Sequence, residues 1–258
     1  MSTNDREHEL REAYVEARGL WSDTLQAMLE ADPEFFEAYL NLSAVPWRTG
    51  VLEPKLKELI YIAVDGAATH LYEPGLRVHL RRAIELGATK EELLEVLQLT
   101  STLGIHACNI GVPILVEELG AAGRDARPPL TERHERLQAE FEQKRGYWHP
   151  FWNELLQLDA DFFESYLDFS ALPWTHGPLE PKVKELIYIA FDASATHLYV
   201  PGLRLHIQNA LGYGATAQEV MEVLELASII GIHTYMTGLP MLIDELARAS
   251  AAADDNAA

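Results

Sequence analysis

The sequence predicts an all-α protein made of two tandem copies of one helical unit, an intrachain pseudo-dimer. Three observations carry that prediction. Residues 19–119 align without a gap onto residues 146–246 at a constant offset of 127, and about half of the positions are identical. Apolar residues recur at helical spacing in both copies, with no sustained alternation bounded by turns. Helix-start and helix-stop residues fall between those periodic runs.

Taken in order, segments 5–18 and 132–145 are charged and amphipathic, and they repeat weakly through Leu10/Leu137 and Tyr14/Phe141. Asp32-Pro33 supplies an N-cap and a first turn for a helix carrying Phe35, Phe36, Tyr39 and Leu40. A helix is expected from Pro54 to about Thr69, with Leu56, Leu59, Ile60, Ala63 and Ala67 on its apolar stripe. Glu58, Asp65 and Thr69 share its other side. Pro74-Gly75 is expected to break that helix, and the next runs from about Leu76 to Leu86. Gly87-Ala88-Thr89 then gives a stop and an N-cap, with Glu92 completing a capping box. A long helix follows from Lys90, divided near Gly104 from a last helix that includes Pro113. The joint between copies is expected near Gly120 to Pro129, which gives units 1–123 and 124–258, the second ending in a frayed tail after Leu246.

Composition narrows the function by exclusion. The 258 residues hold 20 Lys+Arg against 40 Asp+Glu, a formal charge of −20. That balance argues against nucleic acid and against anionic membrane surfaces. Nothing near 18 consecutive apolar residues occurs, so no bilayer-spanning helix is expected, and residues 1–9 lack the apolar core of a signal peptide. The single cysteine, Cys108, forms no internal disulfide. A cytoplasmic protein is the expectation.

Both copies present the same polar set. His70/His197, His79/His206 and His106/His233 recur, together with Glu58/Glu185, Asp65/Asp192, Tyr72/Tyr199, Arg77/Arg204 and Trp47/Trp174. Each alone has a plain structural reading: a core histidine, a solvated acid, a packing tryptophan. Glu58, His70, Tyr72 and His79, however, gather around one helix break, where a rigid scaffold commonly places a site. A histidine oriented by a carboxylate suits acid–base chemistry near neutral pH.

The run Leu52-Glu-Pro-Lys-Leu-Lys-Glu-Leu-Ile-Tyr-Ile-Ala, the following His, and Gly87-Ala-Thr with its Glu-rich helix resemble the carboxymuconolactone decarboxylase family, within the alkylhydroperoxidase D-like superfamily. The resemblance covers about 35–119 and again 162–246. It implies all-helical subunits that assemble into trimers or hexamers, so a fused pair is expected to be a homo-oligomer, a trimer of tandem repeats. The peroxidase branch uses Cys-x-x-Cys-x-x-x-His; counted back from His79, those cysteine positions hold Tyr72 and Gly75, and counted on from Glu58 the first holds His70. Without a thiolate, thiol peroxidase activity is not expected. The decarboxylase branch carries a Glu four residues before the same His, where this chain has Gly75 and Gly202.

The resemblance implies His79/His206 as proton donor or base and Glu58/Glu185 as orienting or relay groups. His70/His197 and Tyr72/Tyr199 would contact substrate or an oxyanion, with His70/His197 counted among the catalytic residues. Arg77/Arg204 would hold a carboxylate, and Trp47/Trp174 and His106/His233 would line the substrate pocket. The leading expectation is a cofactor-independent lyase, decarboxylase or isomerase in type, acting on a small organic acid or lactone from aromatic catabolism, with no metal. One alternative is a metal-dependent enzyme using His70, His79 and His106 with Glu58. The other is a non-catalytic protein that binds a small ligand.

Overall fold

The computed structural model describes residues 3–124 and 127–257. The first copy comprises α1 (Thr3–Arg18), α2 (Asp23–Ala31), α3 (Pro33–Ser43), α4 (Val45–Thr49), α5 (Pro54–Gly66), α6 (Glu73–Glu85), α7 (Lys90–Ser101) and α8 (His106–Ala121). The second comprises α9 (Glu132–Arg145), α10 (Asn153–Leu158), α11 (Ala160–His176), α12 (Pro181–Ala193), α13 (Val200–Gly212), α14 (Ala217–Ser228) and α15 (Ile232–Ala257). No strand occurs among the described residues. The expected unit boundary falls in the connection between α8 and α9, part of which (125–126) lies outside the described residues.

The local signals act as physical chemistry requires. The Asp32 side chain accepts the Phe35 N–H at 2.9 Å, and Pro33 sits in the first turn, where its missing N–H costs nothing. Thr89 and Glu92 satisfy each other's backbone N–H at 3.1 and 2.8 Å, and Thr216 with Glu219 repeats the device.

One break lies elsewhere than expected. Helix α5 stops at Gly66, so Thr69 stands exposed on a turn rather than on the helix, and Pro74-Gly75 belongs to the first turn of α6. The break itself is the 67–72 turn, where Leu71 adopts a left-handed φ of 47°, and in the equivalent 194–199 turn Leu198 adopts one of 49°. Such a conformation is costly for a residue with a Cβ and is held by its surroundings. Here the Tyr72 N–H donates back to the Asp65 carbonyl at 2.9 Å, which fixes the turn that presents His70 and Tyr72.

The two copies share their cores. Leu10, Phe36 and Val64 pack in one cluster with Leu186, Ala190 and Val220, while Leu59, Ile62 and Val96 pack with Ile187 and Phe191. Helices α5 and α12 lie together at the centre, with α7 crossing onto α12 and α14 onto α5. Two buried ion pairs tie the copies further. Lys57 Nζ meets Glu222 at 2.9 Å, and Lys184 Nζ meets Glu95 at 2.8 Å. Glu222 also accepts the Val51 and Leu52 N–H groups, so each charge is hydrogen-bonded as burial demands.

Two other expectations change. Helical runs 90–121 and 217–251 are long and apolar enough to cross a membrane by length and composition, because isolated Thr, Ser, Gly and His residues interrupt apolar stretches without making them polar overall. Each run is divided by a 3-10 turn, at Thr102–Ile105 and Ile229–Gly231. After Leu246 the chain does not fray but continues α15 to Ala257, in keeping with its alanine-rich composition.

Candidate active site

The centre of the site is a buried dyad. Glu58 projects from α5, fully buried, and its Oε2 lies 2.6 Å from Nδ1 of His79 on α6. The carboxylate can only accept, so Nδ1 carries the proton and Nε2 keeps its lone pair. The Tyr61 ring stacks on the imidazole at 4.4 Å and fixes its plane. The free Nε2 faces Asp65 Oδ2 at 3.9 Å.

Asp65 lies one face-length along α5 from Glu58, and Gly75 makes room for it. A Cβ at position 75 would stand 2.1 Å from Asp65 Oδ2 and 2.7 Å from the Tyr72 ring. The position where the decarboxylase pattern carries Glu is therefore filled by a carboxylate that arrives from another helix. Gly75→Ala is expected to push that carboxylate out of place and lower thermal stability by about 1–3 kcal/mol, the usual cost of overpacking. Calorimetric or optical melting checks this.

The second copy then enters the first copy's site. His233, at the start of α15, places Nδ1 2.8 Å from His70 Nε2 and 3.7 Å from Asp65 Oδ1, and Tyr72 stacks on its ring at 3.8 Å. The converse site repeats this with the copies exchanged. Glu185 holds His206 Nδ1 at 2.6 Å, and His106 from the first copy lies 2.6 Å from His197 and 3.8 Å from Asp192, stacked by Tyr199 at 3.7 Å. Each site needs one histidine from the other half of the chain.

Electrostatics follow from burial. Burial first, and the Glu58 charge second, push the Asp65 carboxyl up to about 8; burial and Glu185 do the same for Asp192. His233 and His106 are lowered to about 3, by burial first and then by neighbouring imidazoles. Burial also lowers His70 and His197. His70, His106, His197 and His233 are thus held in the neutral form at physiological pH.

Several expected contacts are elsewhere. Arg77 is exposed and paired with Glu73 at 2.5 Å, and Arg204 is exposed, because a residue two before the histidine faces another side of its helix. The arginine that does reach the cavity is Arg18, whose repeat mate is Arg145. Its guanidinium is buried and donates to the Ser43 carbonyl at 3.2 Å. Trp47 packs under Arg18 and Lys57, with both cations 5.3 Å from its ring, and Trp174 likewise packs under Arg145 and Lys184. His106 does not join His70 and His79; it belongs with His197 and His206, so the ligand set drawn from His70, His79 and His106 is not assembled. Asp65 and Asp192 are legible in the sequence as repeat-identical residues, Asp65 also as sharing a helix side with Glu58, whereas Arg18 and Arg145 are identical but stand one residue before the aligned block.

A cavity of about 120 Å³ opens onto the first site, lined by Arg18, Tyr39, Tyr72, His79 and His233 among others. Its outer wall holds Leu20, Thr24 and Leu25, where the second copy has Tyr147, Phe151 and Trp152 at the same offset. Trp152 is 2% exposed and Tyr199 only 4%, whereas Tyr72 remains partly open. The second copy thus carries larger rings at the positions that line the first cavity.

Fold and site together define an all-α tandem-repeat protein with two pseudo-symmetric histidine–carboxylate centres, each completed across the repeat boundary. The model of the carboxymuconolactone decarboxylase family matches residues 33–104 and again 160–233, and the chain belongs to that family. A crystal structure of a candidate gamma-carboxymuconolactone decarboxylase subunit from Burkholderia xenovorans LB400 is similar at 52% identity. The alignment covers 94% of this chain and 98% of that one, with a TM-score of 0.91. No curated protein matches the chain.

Proposed function

We propose that the chain is a lyase or isomerase of a small organic acid, decarboxylase-like in chemistry, with His79 as the residue that moves the proton. The observation that carries this reading is the buried His79–Glu58 pair at 2.6 Å, beside a cavity lined by both His79 and Arg18. Arg18 would seat a substrate carboxylate as a fixed charge. On loss of CO2, the electron pair delocalises into a conjugated carbonyl, and His79 in its protonated form returns a proton to carbon. Glu58 stabilises the imidazolium and holds the ring. None of these steps calls for an organic cofactor.

The family and the similar subunit support a carboxylated unsaturated lactone as the first substrate class to test. CO2 release and loss of conjugated absorbance would be followed on a panel of such lactones and of open-chain unsaturated acids. Turnover that disappears in Glu58→Gln supports the reading; turnover indifferent to Glu58 contradicts it.

For assembly, the reading is a homo-oligomer of three chains in the cytoplasm. Ile114 and Leu115 on α8 and Met241, Leu242 and Leu246 on α15 are each at least half exposed, more apolar surface than a single chain ordinarily leaves wet. Light scattering after gel filtration is expected to give about three times the 28.9 kDa chain mass.

A further inference from the structure

We propose that Asp65, His70 and His233 bind a first-row divalent transition-metal ion, and that Asp192, His197 and His106 form a second, equivalent site. In each cluster the three ligand atoms lie within 4.8 Å of one another. The decisive feature is Asp65: its side chain is fully buried, and neither carboxylate oxygen has a hydrogen-bond partner among the described residues. Asp192 is the same. Two orphaned oxygens on a buried acid are costly and uncommon, and they mark a missing partner. A simple hydrogen bond between His70 and His233 accounts for their 2.8 Å contact but leaves Asp65 unsatisfied. A cation among the three satisfies the carboxylate and both imidazole lone pairs at once.

The donor set fits the chemistry of such an ion. Two imidazole nitrogens and one carboxylate, with positions left over, suit zinc, iron(II), cobalt(II) or manganese(II). The rings are held in place: Tyr72 stacks on His233 and Tyr199 on His106. A groove lined by His70, Thr196, Gly231 and His233 gives the ion a route in. The same constellation arises twice, each time from two ligands of one copy and one of the other. His79 Nε2 lies 3.9 Å from Asp65 Oδ2, so an ion bound by Asp65 would polarise a substrate oxygen beside the proton-moving imidazole. The inference stands apart from the proposed lyase reaction, because it concerns what the cluster holds. With an ion bound, the cofactor-free site expected from the sequence gives way to a metal-assisted one.

The test uses the tag-free full-length chain, freed of metal by a chelator and then given Zn²⁺, Co²⁺, Mn²⁺ or, without oxygen, Fe²⁺. After gel filtration, elemental analysis should find about two ions per chain for at least one of these metals. Melting should rise by on the order of 5 °C with the bound ion, because the ligands join distant parts of the chain. Asp65→Asn and Asp192→Asn should each halve the stoichiometry and together abolish it. His70→Ala with His197→Ala, at partly exposed positions, should do the same should the aspartate variants fold poorly. His79→Ala should keep both ions while losing turnover, which separates failure of the metal site from failure of the lyase reading. Stoichiometry near zero with every ion overturns the proposal, as does an undiminished two ions in a folded double variant.

Discussion

Replacing His79 by alanine is expected to lower kcat about 10²–10⁴-fold, the usual contribution of a positioned acid–base group, while His206→Ala costs less than about twofold. The asymmetry follows from the walls rather than from the dyads. Both imidazoles sit 2.6 Å from a buried glutamate, and both are stacked on a tyrosine, at 4.4 Å in one copy and 4.3 Å in the other. Yet the first has a cavity lined by Leu20, Thr24 and Leu25, and at the matching offset the second copy carries the bulkier Tyr147, Phe151 and Trp152. If those larger rings fill the equivalent space in the second copy, a substrate that reaches His79 is kept from His206. Steady-state kinetics of the two single variants, on whichever acid the CO2 screen identifies, check this. Equal losses in both would place two working sites in the chain and remove the distinction drawn from those walls.

Glu222→Ala is the substitution expected to damage the fold most. It strands Lys57, 4% exposed, without its counter-charge, and leaves the Val51 and Leu52 N–H groups without an acceptor. Breaking one side of a buried pair costs about 3–5 kcal/mol, and for a chain of this size that is a fall in Tm on the order of 10 °C. Glu222→Gln keeps a neutral acceptor and should fall between the two, which separates the charge from the hydrogen bonds. Glu95→Ala should behave alike, since Glu95 holds Lys184 and the Leu179 N–H in the mirror arrangement. Scanning calorimetry gives the values. A variant as stable as the parent would mean that the ion pairs do not hold the copies together.

What the sequence revealed and what it concealed divide along chain distance. The caps at Asp32 and Thr89 were legible because their partners lie three residues away, and the Glu58–His79 pair because both flank one break in one copy. The helix end was misplaced because Pro74-Gly75 looks like a breaker, whereas a proline in a first turn starts a helix; the true break rests on the left-handed Leu71, which has no sequence signature. Asp65 is legible as a repeat-shared residue on the Glu58 side of its helix, but nothing local shows that Gly75 clears the space beside it. Arg77 drew notice over Arg18 because it lies near the histidine in the chain, although α1 brings Arg18 to the cavity from much farther away. Above all, His233 meets His70 across 163 residues. A repeat shows that two copies exist, not that each completes the other.

That crossing is the central claim, and the imidazole nitrogens report it directly. In two-dimensional NMR of the ¹⁵N-histidine-labelled protein, His233→Ala should shift the ring signals of His70 in the first copy and leave those of His197 near their parent positions. His106→Ala should do the reverse. A His233→Ala spectrum in which His197 moves and His70 does not would contradict the composite site.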